Sequence, residues 1–314
     1  MQPRRRPRDG PQGSDAGDHP RAGVRGARGQ RGAACHGEQA GHRAGSARGL
    51  QGHRRRHALA ARSRRAADPA GAARRRQGLS GVHAVREDLA HPWRVPLPEA
   101  AAIQTRLARE VVLTPLASSG AGAPALAAGV DVGYTKDGRR AWAAAVVMDR
   151  SLAVVDSAVV AGEPDAPYVR GYLAFREGRL TLDALQALAV EPGLIFLDGH
   201  GTVHERGLGL ASHVGVLLRL PTIGVPKTPF HSIDHEPGPE RGDYYVLTKE
   251  WGAQGASIRL KSRVKPVYLS PGNLVDLESS VALALAWSSG RRRVPEPLAA
   301  AHTSAAHARN AALA

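Results

Sequence analysis

The sequence has few cysteines, few aromatic residues and no long apolar run, and two of these shortages exclude whole classes of protein. Cys35 is the single cysteine among 314 residues, which excludes a disulfide framework and any zinc site built from several cysteines, and suits a reducing cytosol. No window approaches the roughly 20 apolar residues that a transmembrane helix needs. The first residues alternate Arg, Pro, Gly and Asp without an apolar stretch, so no secretory signal is visible. We therefore expect a cytoplasmic protein with no membrane partner.

Positive charge is concentrated at the start of the chain. Residues 1–90 contain 20 arginines, no lysine and 7 acidic residues, a net charge of +13 out of +15 for the whole sequence. This part has almost no isoleucine, leucine or aromatic residue, so it cannot bury enough apolar surface to offset its chain entropy. We predict a disordered, low-complexity segment over residues 1–91 and one folded domain over residues 92–314, a comfortable size for a single core.

Three interpretations of the arginine-rich segment stay open. Runs such as Arg4–Arg6 and Arg54–Arg56 would attract phosphate without reading sequence, as a nucleic-acid-binding arm does. The segment could equally be an inert solvated tail. It could also be translation from a start codon too far upstream, because codons for Arg, Ala, Gly and Pro dominate G+C-rich DNA. None of the three places catalysis there.

Apolar periodicity beyond residue 92 predicts both strands and helices. The predicted strands are 127–134, 141–148, 152–160, 194–197, 222–225 and an additional hairpin of 244–248 with 257–261. The predicted helices are 98–112, 173–188, 209–220 and 277–287. Three strands in antiparallel succession, followed by helix, strand, helix and strand, describe an α/β fold with a mixed sheet flanked by helices. That order is the one found in ribonuclease H-like nuclease folds.

Two carboxylates lie where an apolar strand would not normally place them. Asp131 interrupts an apolar strand, and Asp198 directly follows another. Burying either costs desolvation energy, and two on neighbouring strand ends would repel unless a divalent cation lies between them. Mg²⁺ suits such a place, because it takes a few carboxylate oxygens and accepts phosphate oxygens as further ligands. Glu177 is a candidate third carboxylate. A single aspartate at a strand end is more often a turn or cap residue, so composition leaves both interpretations open.

Six segments in series resemble the endonuclease V family, in the family's order and with similar spacing, from about residue 95 to the C-terminus. They are residues 129–134 (GVDVGY), 167–177 (PYVRGYLAFRE), 198–201 (DGHG), 222–227 (TIGVPK), 267–272 (VYLSPG) and 294–297 (VPEP).

The resemblance implies a metal-dependent DNA repair nuclease with a ribonuclease H-like fold, using Mg²⁺ or, in its place, Mn²⁺. Family members recognise deoxyinosine and hydrolyse the second phosphodiester bond on its 3′ side, leaving a 3′-hydroxyl and a 5′-phosphate. The family's metal-binding carboxylates fall on Asp131, Glu177 and Asp198, its active-site lysine on Lys227, and its C-terminal catalytic histidine on His302. The implied partner is DNA containing deoxyinosine or other deaminated bases, bound by a monomer.

The resemblance also implies a way to recognise the lesion. Tyr168 matches a tyrosine that wedges into the space left by the extruded base. Seven positions match the pocket for hypoxanthine, where glycines let the base approach the backbone closely. They are Gly171, Leu173, Gly199, Gly201, His204, Leu210 and Gly224. Three departures stand out: Arg170 replaces the second proline of the wedge motif, Asn273 replaces a histidine, and residues 298–300 replace Thr-Arg-Leu.

Two other functions stay open. The same chemistry could be directed at inosine in RNA, since contacts to the 2′-hydroxyl cannot be read from the sequence. The chain could also be a nucleic-acid-binding protein without catalysis, dominated by its arginine-rich segment.

Overall fold

A computed structural model describes residues 84–230, 235–248, 252 and 254–314. The disordered segment predicted for residues 1–91 lies outside the described residues as far as residue 83. Residues from 84 onward already pack on the folded domain: Leu89 is buried, and the Arg86 N–H donates to the Leu217 carbonyl at 2.9 Å. Contacts with the folded domain therefore extend to residues that precede the predicted boundary at residue 92.

The described residues form an eight-stranded sheet in the order β3-β2-β1-β4-β5-β8-β7-β6. Its strands are β1 (Leu126–Tyr134), β2 (Ala141–Asp149), β3 (Val154–Gly162), β4 (Ile195–Leu197), β5 (Thr222–Gly224), β6 (Tyr244–Thr248), β7 (Gln254–Ile258) and β8 (Val267–Asn273). The first three strands are antiparallel neighbours, while β1, β4 and β5 run parallel. This is the mixed α/β sheet that the sequence predicts.

Five α-helices cover the two faces of the sheet in the described part of the chain. They are α1 (Leu97–Leu107), α2 (Leu173–Gln186), α3 (Leu210–Leu218), α4 (Leu277–Ala286) and α5 (Glu296–Leu313). Strand β4 shows how the faces are divided: Ile195 and Leu197 pack in the apolar cluster of α1, α2 and α3. Phe196, pointing the other way, packs in the cluster of α4 and α5. Alternation along a short, fully apolar strand thus builds two cores. Within the described residues, no helix is long and apolar enough to cross a membrane.

Parts of the predicted secondary structure were wrong or missing. The second strand of the additional hairpin is Gln254–Ile258 rather than 257–261, because its register is set by pairing with Tyr244–Thr248. Strand β8 contains Pro271 and Gly272, which are typical of loops, yet it pairs antiparallel to β5 with a register shift that accommodates them. Helix α5 was not predicted, since its alanine-rich sequence has little apolar contrast between its faces.

Candidate active site

The central carboxylate pair follows from the register of the parallel strands. Strands β1 and β4 pair Val130 with Leu197, so Asp131 and Asp198 come next on neighbouring strands, which lie about 4.8 Å apart. The Asp198 N–H still contacts the Val130 carbonyl, at 3.4 Å. Residues 67 positions apart are thereby brought to one edge of the sheet.

Glu177 reaches the pair from helix α2. Its side chain is buried, and the Tyr134 hydroxyl donates to its Oε1 at 2.7 Å. Burial raises the pKa of Glu177 to about 8, and the negative charges of Asp198 and Asp131 act in the same direction. The three predicted carboxylates therefore lie close enough together for their charges to influence one another. Sequence reasoning missed the role of Tyr134, although it lies within the first of the six segments.

His302 lies beside Asp131 because helix α5 crosses strand β1 closely. A Cβ at Gly129 would lie 2.1 Å from the Pro297 carbonyl carbon, so only glycine lets the start of α5 pass over β1. The helix then presents His302, whose Nδ1 lies 2.5 Å from Asp131 Oδ2. With an acceptor-only carboxylate as partner, this nitrogen carries the proton and donates. The position that the sequence assigned by spacing does lie beside the first carboxylate.

Lys227 approaches the second carboxylate from the end of β5. Its Nζ donates to Asp198 Oδ2 at 2.5 Å. Partial burial opposes the lysine's charge, but Asp198 outweighs it, so the pKa of Lys227 is raised. For Asp198, burial and then the charge of Asp131 prevail over Lys227, and its pKa is raised as well.

The chemistry of these donors fits a hard divalent cation. Among the described residues, no three His, Cys, Asp or Glu side chains form a ready-made metal cage. Each carboxylate is hydrogen-bonded instead to His302, Lys227 or Tyr134. The raised pKa values of Glu177 and Asp198 reflect crowded negative charge in a desolvated place. A cation with oxygen ligands would relieve that crowding.

Asp131 and Asp198 open onto a cleft of about 330 Å³ whose rim is basic. Arg291, Arg292 and Arg293 line it together with Asp131, Asp198, Lys227 and His302. Arg293 connects two backbone segments, since its guanidinium donates to the carbonyls of Lys227 and Pro266. Arg292 pairs with Glu296 at 3.4 Å and remains largely exposed. Sequence reasoning missed this triplet, whose signal was three consecutive arginines directly before the Pro-Glu-Pro segment.

The loop predicted to wedge into DNA presents its tyrosine to solvent. The Tyr168 side chain is 68% exposed. Further along, the Gly171 carbonyl accepts from Gln104 Nε2 and from His204 Nε2, both at 2.9 Å. His204 is buried, which lowers its pKa to about 4. His204 is therefore neutral and supports the Gly171 carbonyl. The backbone N–H of Arg206 donates to its Nδ1 and fixes the ring.

The remaining predicted pocket residues fall into two groups. A Cβ at Gly199 would lie 3.1 Å from Leu210 Cβ and 3.5 Å from Leu173 Cδ2, so these three residues are neighbours. Gly201 and Gly224 are required by packing, because a Cβ would come within 2.1 Å of the Pro271 carbonyl oxygen or 2.3 Å of the Gly199 carbonyl oxygen. Contact of any of these residues with a base stays a prediction.

A mixed sheet with acidic residues at the ends of its parallel strands is typical of ribonuclease H-like nucleases. A family profile described as endonuclease V matches residues 105–303, and the chain belongs to the endonuclease V family.

Individual relatives agree over the folded domain. An endonuclease V from Streptomyces avermitilis is 44% identical over 206 residues, which are 65% of this chain and 88% of the relative. One from Kosmotoga olearia is 38% identical and aligns over 68% of this chain and 92% of its own length. The crystal structure of the Streptomyces avermitilis protein superimposes with a TM-score of 0.64 at 41% identity, covering 71% of this chain and 96% of that one. The endonuclease V of Ciona intestinalis, solved with DNA containing an inosine followed by a ribo-adenosine, superimposes with a TM-score of 0.58 at 25% identity, covering 68% and 98%.

Proposed function

We propose that this protein is a DNA repair endonuclease that recognises deoxyinosine, the product of adenine deamination. It hydrolyses the second phosphodiester bond on the 3′ side of the lesion and leaves a 3′-hydroxyl and a 5′-phosphate. The observation that carries the proposal is the in-register pair Asp131 and Asp198, each hydrogen-bonded at 2.5 Å to a residue that can carry a proton. The inosine-containing DNA bound by the Ciona intestinalis relative supports the choice of lesion.

The carboxylates would hold Mg²⁺, or Mn²⁺ in its place. Asp131 and Asp198 would supply direct ligand oxygens, and Glu177, withdrawn against Tyr134, would act through water or accept a proton. When bound, the cation polarises the phosphoryl group, favours deprotonation of the attacking water and stabilises the leaving 3′-oxygen.

The remaining groups move protons and bind phosphate. Lys227 keeps its ammonium charged beside Asp198 and offers it to a phosphate oxygen or the attacking water. The Asp131 carboxylate fixes Nδ1 of His302, so Nε2 is the atom that can exchange a proton with water in the cleft. Exposed guanidinium groups of Arg291 and Arg292 on the rim attract the nucleic-acid backbone.

Lesion recognition would use the wedge loop and the backbone behind it. The exposed ring of Tyr168 can replace lost base stacking, worth about 1–3 kcal/mol per base. Hypoxanthine offers a 6-oxo acceptor and an N1–H donor where adenine offers an amino donor and an N1 acceptor. Fixed backbone amides and carbonyls therefore reject adenine by leaving buried groups unpaired.

A labelled duplex tests the proposal. We expect a 5′-labelled strand with one deoxyinosine to be cut in Mg²⁺ at the second bond 3′ to the lesion, and the same strand with adenine to stay intact. Cleavage of both strands alike, or of neither, would contradict the assigned function.

The same sequence made entirely of RNA, with inosine in place of deoxyinosine, separates the RNA alternative. The ribo-adenosine after the inosine in the Ciona intestinalis complex makes this comparison necessary. A preference for the all-RNA strand would identify RNA as the substrate and leave the assigned site unchanged. Tight binding without cutting would favour a non-catalytic nucleic-acid-binding protein.

A further inference from the structure

Arg170 holds the wedge loop to the segment that carries Lys227. The Tyr172 N–H donates to the Val169 carbonyl at 3.0 Å, and Gly171 has a φ of +83°. This is a type II turn, with glycine at its third position and Arg170 at its second. The second position has the φ that proline prefers, so arginine there is not demanded by the turn itself.

The arginine side chain reaches across to Phe230. Its guanidinium donates to the Phe230 carbonyl and lies over the ring, 5.1 Å from the centroid. Phe230 is 6% exposed, and its ring packs against those of His200 and His204, both at 5.1 Å. Arg170 is therefore joined by two contacts to a well-packed anchor.

That anchor lies three residues after Lys227 and beside two predicted recognition segments. His200 follows Gly199, and His204 braces the Gly171 carbonyl. The Arg170 side chain thus ties the turn that directly follows Tyr168 to the stretch of chain that begins with Lys227. Arg170 is exposed as a residue, but its guanidinium is engaged with the Phe230 carbonyl and ring, so a role in holding the loop has to be separated from a phosphate contact by experiment.

We propose that Arg170 is a positioning residue for lesion recognition: it latches the wedge turn to Phe230 and so fixes Tyr168 relative to Lys227. The latch performs by a long-range contact what a proline at the same position would perform by local rigidity. The inference rests on the proposed function for its activity readout, but the latch itself can be tested on the free protein.

Three substitutions separate the latch from a phosphate contact. Arg170→Ala removes the latch and the charge. Arg170→Lys keeps the charge but cannot stack and donate in one plane. Arg170→Pro removes charge and latch but stiffens the turn. The matched control is Arg150→Ala, which deletes a guanidinium 5.1 Å from the Trp287 ring centroid, in the β2–β3 turn at the opposite end of the sheet.

Two readouts are compared across these variants. The first is hydrogen exchange of the backbone over residues 166–172 in the free protein; the second is kcat/KM for cleavage of the deoxyinosine strand. We expect faster exchange and an about tenfold lower kcat/KM in Arg170→Ala and Arg170→Lys. Arg170→Pro should stay within about threefold of the wild type, and Arg150→Ala should equal it.

The order of the lysine and proline variants decides. Slower exchange together with a higher kcat/KM in Arg170→Pro than in Arg170→Lys supports the latch, and any other order of the two variants overturns it. If the wild type does not cut the deoxyinosine strand, the proposed function fails, and the exchange data still judge the latch separately.

Discussion

Two regions of the molecule bury ionisable side chains, and they differ in whether each ionisable group has a partner of opposite charge. In the cleft, Asp131 and Asp198 are each hydrogen-bonded to a basic group, His302 and Lys227. Between helices α2 and α3, by contrast, the Nε2 atoms of His91 and His213 face each other at 2.7 Å. Their surroundings are aromatic rather than charged: Trp93 and Phe175 pack against both rings.

The difference shows what burial does when no opposite charge is near. Burial lowers the pKa of both histidines, and for His213 the neighbouring His91 adds to the effect. His213 Nδ1 has no hydrogen-bond partner among the described residues. These rings are neutral packing elements, while the cleft holds two carboxylates against a lysine and a histidine, at the cost of their desolvation. A shifted pKa alone therefore does not mark the active site.

Neutralising one carboxylate of the cleft should have the largest effect on activity. Asp198→Asn should lower single-turnover cleavage of the deoxyinosine strand by at least about a thousandfold, because a cation ligand and the partner of Lys227 are removed together. Glu191→Gln, an exposed acid on the loop before β4, should cut normally. Near-normal cleavage by a folded Asp198→Asn protein would refute the assigned role.

Removing the positive charge of Lys227 should have a smaller effect. We expect Lys227→Met to lower the cleavage rate about a hundredfold while the circular dichroism spectrum is unchanged. Lys265→Met removes an exposed lysine from the segment before β8 and serves as the control. Equal rates for the two variants would show that Lys227 only balances charge.

Acid should destabilise the histidine region. Because folding lowers the pKa of His91 and His213, the unfolded chain binds more protons below about pH 6.5. Their contribution to stability is present above that pH and declines as the pH falls, by up to about 1.4 kcal/mol per pH unit for each histidine. His204, with a pKa of about 4, acts in the same direction.

Urea unfolding at pH 7.5 and pH 5.5 measures this decline. In His213→Phe, which keeps a ring in the aromatic cluster, the difference between the two pH values should shrink. An unchanged acid dependence would mean that His213 is not a source of it.

The smallest expected effect concerns the rim of the cleft. Arg291→Ala combined with Arg292→Ala should reduce the slope of log affinity against log salt by up to about 0.9 for each DNA phosphate that the two arginines neutralise. Binding to deoxyinosine and adenine strands should weaken alike. An equal slope in wild type and double variant would remove the rim from the DNA interface.

The sequence allowed the fold class and the principal side chains of the site to be predicted, because Asp131 and Asp198 interrupt or end apolar strands. Glu177 was a candidate third carboxylate from its place between those strands, Lys227 and His302 were assigned from the resemblance to a family, and the structure brings all five together. What the sequence could not supply are contacts decided by packing. Strand β8 was hidden by Pro271 and Gly272, and the Arg170–Phe230 latch joins residues 60 positions apart.

The most direct test of the account is a titration of Mn²⁺ into the protein bound to deoxyinosine DNA, followed by electron paramagnetic resonance. We predict a bound ion in the wild type and in Glu191→Gln, and its absence in Asp131→Asn and Asp198→Asn while the DNA stays bound. Equal ion uptake by all four proteins would show that these carboxylates do not hold a cation.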